Sequence, residues 1–272
     1  MVRHLMLKHS LLILIVTQSL IACTSLSNEA YIKDVKQLGL QKYSMQAGQF
    51  PLIYYTRPQN NKSDTLHIYI GGDGVPWQDK FFISEDPGPY NAMVLRLMMQ
   101  DSKPSIYLGR PCYQGQAKVP PCEFSHWTSG RFSHEIINSM SIAIKQLLKL
   151  YHYEKLVLIG FSGGGTLATL LAHQITQTTM LVTIAGNLDT DAWTNFHHYS
   201  AMPNSINPAD LPVLAVTIKQ LHLQGGRDQN IPAHLSGRYI EKQKNISIKH
   251  FSTADHSCCW LIYWPEIVKT LP

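Results

Sequence analysis

The chain has 272 residues, of which 44% are hydrophobic and 15% charged, a balance that excludes a disordered or fibrous protein. That length is one domain with a core large enough to need no cross-links for stability. Its 23 Lys and Arg against 18 Asp and Glu give a formal charge of +5, with no basic run, which excludes an electrostatic nucleic-acid surface.

The first element is a leader. Met1 to Ser10 carries Arg3 and Lys8 and no acid, and Leu11 to Ile21 is apolar apart from Thr17, Gln18 and Ser19. A membrane-spanning helix needs about 20 consecutive apolar residues, so this shorter run reads as a secretory signal over residues 1–22. Leu20-Ile21-Ala22-Cys23 resembles the bacterial lipobox, which implies acylation of Cys23 as the new N-terminus. Thr24 in place of Asp then implies retention at the outer membrane of a bacterial cell envelope. Residues 23–45 read as the lipidated cysteine and a flexible tether, with the folded domain over 46–272. Removing Arg3 and Lys8 with the leader leaves 21 basic and 18 acidic side chains, net +3.

Within the domain, short apolar runs alternate with longer amphipathic segments. In chain order the reading is strand Leu52–Thr56, strand Leu66–Ile70, helix Asn91–Met99, strand Ser105–Leu108 and helix Ser133–Tyr151. Strand Lys155–Ile159, helix Thr166–Ile175, strand Leu181–Ala185, strand Gln220–Gln224, helix His234–Lys242, strand Ile246–Phe251 and helix Trp260–Lys269 follow. Helix Ser133–Tyr151 has the clearest period, with Ile136, Ile137, Met140, Ile144, Leu147, Leu148 and Tyr151 at i, i+3, i+4 spacing. Such alternation predicts βαβ units and a mostly parallel central sheet flanked by helices. Lys155–Ile159 is apolar throughout after its first residue, as expected of a central strand covered on both faces.

Directly after that strand comes Gly160-Phe161-Ser162-Gly163-Gly164, a G-x-S-x-G sequence, and directly after it a helix. A serine on such a strand-to-helix turn is lifted above the sheet, and the helix N-terminus aims its N–H groups at it. A hydroxyl needs a base to become a nucleophile. Among 13 His residues, His256 is the candidate, because its loop follows the last strand and precedes the last helix. The third member is Asp228, in Leu223-Gln224-Gly225-Gly226-Arg227-Asp228, where a strand ends in a glycine turn. Its carboxylate can accept the imidazole Nδ1–H and fix the tautomer. Asp189, Asp191 and Asp255 are rival positions for the acid. Two backbone donors must hold a developing oxyanion: Gly163 supplies one, and Asp73, with Gly72 beside it, the other, from the turn Gly71-Gly72-Asp73-Gly74. The Asp73 side chain is expected to point away and brace that loop.

The order Ser162, Asp228, His256, with the Gly71–Gly74 turn, resembles the α/β-hydrolase superfamily from about Phe50 to the C-terminus. Gly109-Arg110-Pro111-Cys112 and Trp127-Thr128-Ser129-Gly130-Arg131-Phe132 further resemble a little-defined bacterial envelope subgroup of it. The resemblance implies an α/β-hydrolase fold, an acyl-enzyme mechanism on esters or related acyl substrates, and no cofactor or metal. A serine peptidase, or a non-catalytic hydrolase-like lipoprotein that binds a partner or ligand, are the alternatives. The partners expected are a small acyl substrate and, through the lipid, a membrane, with no nucleic acid. Residues 187–211 leave room for only a small cap, and Trp77, Trp127 and Trp193 are candidates to line the pocket.

Besides Cys23 there are four cysteines. In an oxidising envelope Cys112 and Cys122 are expected to pair across a loop rich in Gly and Pro. Adjacent Cys258 and Cys259 are expected as thiols packed behind His256. Neither C-x-x-C nor H-E-x-x-H occurs, so no zinc site is read.

Overall fold

The computed structural model describes residues 25–57, 63–79, 81–88 and 91–272. Residues 1–22, read from the sequence as a signal peptide, and Cys23, expected to be acylated, lie outside these residues. Among the described residues no helix is long and apolar enough to cross a membrane.

The chain forms, in order, α1 (Ser25–Gln37), β1 (Gln41–Ala47), β2 (Phe50–Thr56), β3 (Thr65–Ile70), β4 (Trp77–Gln78), β5 (Phe82–Ile83), α2 (Met93–Met99) and β6 (Ser105–Leu108). Then come α3 (His134–Tyr151), β7 (Lys155–Phe161), α4 (Gly163–Ala172), β8 (Thr178–Ile184), α5 (Thr190–His197), β9 (Lys219–Gly225), α6 (Gly237–Ile240), β10 (Ile246–Phe251) and α7 (Trp260–Val268). Eight strands make one sheet in the order β1-β2-β6-β3-β7-β8-β9-β10, and β4 pairs with β5 in a separate small hairpin. Strand β2 is antiparallel to both its neighbours, β1 and β6, and every other pairing within the eight-stranded sheet is parallel.

Each face of the sheet buries its own core. On one face α3 and α4 supply Ile136, Met140, Ile144, Leu147, Leu167 and Leu171. On the other, α1, α2 and α7 supply Tyr31, Val35, Leu97, Met98, Trp260 and Trp264. Burial of each such side chain contributes about 1.5–3 kcal/mol relative to exposure. In α3 the predicted apolar period is the buried stripe, except that Tyr151 is exposed at the end. Ser133 caps the helix by accepting from the Ile136 N–H, and His152 closes it at φ 58°.

Three sequence expectations are corrected. The segment assigned to a tether is structured from Ser25 onward: α1 buries Tyr31 and Val35, and β1 is an edge strand of the sheet. Gln41, Lys42, Tyr43, Ser44 and Gln46 of β1 are exposed, so the strand lacks a buried apolar run and its polar composition concealed it. Helix His234–Lys242 is instead a 3₁₀ turn, Ala233–Ser236, followed by the single turn of α6. Helix α4 begins at Gly163 rather than Thr166, so that Ser162 is its N-cap residue. The segment after β8 holds α5 and a 3₁₀ turn at Pro208–Asp210 and no larger insertion.

Candidate active site

Ser162 stands at the end of β7, at φ 54° and ψ −124°. A non-glycine residue in that region costs of order 1–3 kcal/mol and persists only when its surroundings enforce it. Here the enforcement is local and backbone-made. The Ser162 N–H donates to the Ile184 carbonyl at 3.0 Å, and the Ser162 carbonyl accepts from the Gly165 N–H at 2.8 Å. Gly160 admits the returning chain, since a Cβ there would collide with the Gly164 carbonyl.

The three residues predicted to work together meet above the sheet. His256 Nε2 lies 3.0 Å from Ser162 Oγ, and His256 Nδ1 lies 2.9 Å from Asp228 Oδ2. An ionised carboxylate can only accept, so Nδ1 carries the proton and Nε2 faces the serine hydroxyl as an acceptor. Asp228 is buried and fixed by its second oxygen, which accepts from the Asn230 N–H at 2.9 Å and the Ile231 N–H at 2.8 Å. The His256 loop is held by Trp260, whose Nε1–H donates to the His256 carbonyl at 3.0 Å, and the imidazole lies 5.1 Å from the Phe161 ring.

The rival acids have other work. Asp189 is the N-cap of α5: Oδ1 accepts from the Ala192 N–H at 3.1 Å and from Asn207 Nδ2 at 2.9 Å. Arg238 Nε donates to its Oδ2 at 2.7 Å. Burial pushes the Asp189 carboxyl up, but Arg238, Asn207 and the cap N–H outweigh it and hold the carboxyl below its ordinary value. Asp191 lies 3.9 Å from Arg238 on the surface. Asp255 accepts from the N–H groups of Ser257 and Cys258, at 2.8 and 2.6 Å.

Beside Ser162, Gly72 packs so closely that a Cβ on it would stand 3.3 Å from the Ser162 Cβ. Asp73 braces this loop, as expected, but its side chain does not turn away from the site. Its carboxylate lies directly over the Gly163 Cα, where a side chain on residue 163 would have to be. The position is set by two buried guanidiniums. Arg110 Nη1 donates to Asp73 Oδ1 at 2.5 Å and Arg131 Nη1 to Oδ2 at 3.0 Å. The arginines are themselves tied: Arg110 Nη2 donates to the Arg131 carbonyl at 3.2 Å, and Arg131 Nε to the Thr128 carbonyl at 2.8 Å. Arg110 also stacks over the Tyr113 ring, 4.7 Å from its centroid, while the Tyr113 hydroxyl donates to the Asp73 carbonyl at 3.1 Å. Burial pushes the Asp73 carboxyl up, but the two guanidiniums prevail and hold it below its ordinary value. Arg110 and Arg131 fall inside the two segments singled out from the sequence. What hid their role is that three positions distant in sequence meet at one carboxylate.

A cavity of about 770 Å³ opens over Ser162 and His256. Its walls include Val75, Trp77, Phe81, Phe161, Trp193 and Met202. Trp127, expected there, is instead buried in the core, with its Nε1–H donating to the Ser84 carbonyl at 3.0 Å. Cys112 and Cys122 are joined as predicted, with Cα atoms 5.5 Å apart. Cys258 and Cys259 are not thiols but are bonded to each other. The Asp255 cap winds the chain into a tight turn there, and Cys259 takes φ 80°. Among the described residues no group of three or more His, Cys, Asp or Glu is arranged to hold a metal ion.

The sheet order, the single antiparallel β2 and the serine elbow after the central strand define the α/β-hydrolase fold. Solved structures share it at low sequence identity. An esterase of Pyrococcus furiosus superposes with a TM-score of 0.60 at 13% identity, covering 86% of this chain and 90% of its own. An α/β serine hydrolase homologue of Coxiella burnetii gives 0.57 at 14% identity, covering 85% and 97%. A Xanthomonas campestris protein described as an α/β serine hydrolase without a lid gives 0.54 at 12% identity, covering 85% and 92%. No family model and no curated protein sequence matches the chain.

Proposed function

We propose that this protein is a serine hydrolase that cleaves carboxylic esters through an acyl-enzyme. The observation that carries the reading is the unbroken chain from Ser162 Oγ through His256 to the buried Asp228, at 3.0 and 2.9 Å, with Ser162 and His256 lining the cavity. The esterase and serine-hydrolase neighbours in fold support the same class. The cavity volume lies within the usual range for small-molecule sites.

In the reaction His256 Nε2 takes the Ser162 proton as Oγ adds to the ester carbonyl carbon. The carbonyl π electrons move onto oxygen, and the N–H groups of Gly163 and of Asp73 or Gly72 stabilise that charge. Collapse expels the alcohol, which receives the proton from His256, and leaves the acyl group on Ser162. Water then adds with its proton passing to His256, and collapse releases the acid and returns that proton to Ser162. Asp228 holds the tautomer and stabilises the imidazolium without itself taking the proton. We further propose that residues 1–22 are removed, that Cys23 is acylated, and that the protein works at the bacterial cell envelope on the outer membrane.

The test is labelling with a fluorophosphonate, followed by kinetics on p-nitrophenyl esters of rising chain length and on aminoacyl amides. Labelling that is lost in Ser162→Ala, together with ester turnover, is the expected result. No labelling would favour a non-catalytic binder. Faster turnover of the amides than of the esters would favour a peptidase.

A further inference from the structure

The mouth of the cavity carries large apolar side chains that nothing among the described residues covers. The hairpin β4–β5 forms one bank, with Phe81 81% exposed, Phe82 69% and Trp77 42%. On the other bank α5 and the residues after it expose Phe196 and Tyr199. Several such side chains around one opening mark an interaction surface rather than scattered surface residues. The hairpin is not a loose flap. Its base is locked by the Ser84 N–H to the Pro76 carbonyl at 2.9 Å, by the Ser84 hydroxyl to the Val75 carbonyl at 2.5 Å, and by the Trp127 bond to Ser84. A firm base thus presents apolar tips outward. Phe81 and Trp77 of these tips also line the cavity, together with Val75, Phe161 and Ser162.

The direction of α1 says what this face meets. Tyr31 sits against Tyr55 and interacts with Tyr107 and Gln114, near the cavity end of β6. Three residues later Asp34 pairs with Arg96 midway along α2 at 2.8 Å. After the helix, Gln41 pairs with Thr56 at the opposite edge, where β6 begins. The helix therefore descends from the site edge of the sheet to the far edge. Its first residue, Ser25, lies six residues above Tyr31, about 9 Å further toward the site edge at 1.5 Å per residue. Cys23 is two residues before Ser25, so a lipid on it would enter a bilayer within about 7 Å of chain from that same edge.

We propose that this mouth docks on a phospholipid bilayer and that the ester cleaved is an acyl lipid drawn from it. The proposal rests on the hydrolase and lipid-anchor readings above and adds the orientation and the substrate class. Trp77, Phe81, Phe82, Phe196 and Tyr199 enter the headgroup and upper acyl region, where aromatic side chains are favoured, and Asp79 in the hairpin turn limits the depth. An acyl chain then passes along the apolar wall to Ser162 without crossing water.

Two measurements on the full chain, isolated from bacterial membranes and reconstituted in phosphatidylethanolamine–phosphatidylglycerol vesicles, test this. A bimane on Phe82→Cys should be quenched by nitroxide-labelled lipid and shielded from iodide, whereas one on Glu154→Cys, at the opposite edge, should show the reverse. A position 82 open to iodide and indifferent to nitroxide, or a protein that does not stay with the vesicles, overturns the proposal. The double variant Phe82→Asp with Phe196→Asp should hydrolyse a vesicle-embedded long-chain ester about tenfold more slowly, since two apolar anchors become charges. Its kcat/KM on a water-soluble butyrate ester should stay within about twofold, as neither side chain lines the cavity. Equal losses on both substrates, or none on either, overturn the proposal. Should position 82 contact lipid while neither ester is turned over, the docking surface stands and the catalytic reading falls.

Discussion

Replacing Gly163 by alanine tests the construction of the site at its tightest point. The added Cβ would overlap the Asp73 carboxylate, with Oδ2 at 2.7 Å and the other carboxylate atoms closer still. The carboxylate cannot swing aside freely, because Arg110 and Arg131 hold one oxygen each. Either an ion pair to a buried guanidinium breaks, at a cost of up to about 3–5 kcal/mol, or the 72–74 loop shifts and takes the proposed oxyanion donor with it. Loss of one such donor lowers kcat by about 10²- to 10³-fold. We expect Gly163→Ala to lose about 2–4 kcal/mol of stability or about 10² in kcat, divided between the two according to which part yields. Urea unfolding and kcat on a soluble p-nitrophenyl ester read both. The double-mutant cycle with Asp73→Ala, which empties the contested space, should show a coupling of at least about 1–2 kcal/mol. Additive effects, or a Gly163→Ala enzyme with normal stability and kcat within threefold, would refute the reasoning.

Asp228→Asn should reduce kcat by about 10⁴ with little change in KM, while Asp189→Asn keeps most activity but unfolds earlier in urea, because it loosens the α5 cap and the Arg238 pair. Near-normal kcat in Asp228→Asn would move the acid elsewhere. His222 is buried, with Nδ1 2.7 Å from Thr183 Oγ1, and burial pushes its pKa down to about 4. Between about pH 6.5 and 4 the unfolded chain therefore binds a proton that the folded one refuses, so stability should fall with pH by about 3 kcal/mol across that window. His222→Gln should lose that part of the slope, and denaturation curves at pH 7.5, 5.5 and 4.5 would check it. Replacing Cys112 and Cys122 by alanine should cost about 2–3 kcal/mol by the loop-entropy argument, measured by urea unfolding without reductant.

How far the sequence carried the reading depended on whether a residue acts with its neighbours or at a distance. The elbow was legible because Gly160, Ser162 and Gly163 lie together on a strand-to-helix turn. Asp228 and His256 were legible because each follows a strand whose end must reach the site edge. Strand β1 was not, since its partner β2 satisfies its backbone while its polar side chains face water. The Asp73 clamp was missed because Arg110 and Arg131 come from separate loops and meet only in the folded chain. The bond between Cys258 and Cys259 lies in a turn held by Asp255, which accepts from the Ser257 and Cys258 N–H groups, and adjacency in sequence does not reveal that turn. His67, buried between Asp101 at 2.7 Å and the Pro272 carbonyl at 3.0 Å, likewise belongs to pairings that only the sheet creates.

The carboxylate wedged over Gly163 has a consequence for how related chains can differ. Residues 73 and 163 are ninety positions apart, yet neither is free to vary while the other stays. An acid at 73 held by arginines at 110 and 131 demands glycine at 163. A larger residue at 163 demands a short, uncharged residue at 73, and then leaves the two guanidiniums without a counter-ion. Divergence at the elbow should therefore occur as a jump of four positions together, and homologues found in an alignment should fall into two groups with few intermediates.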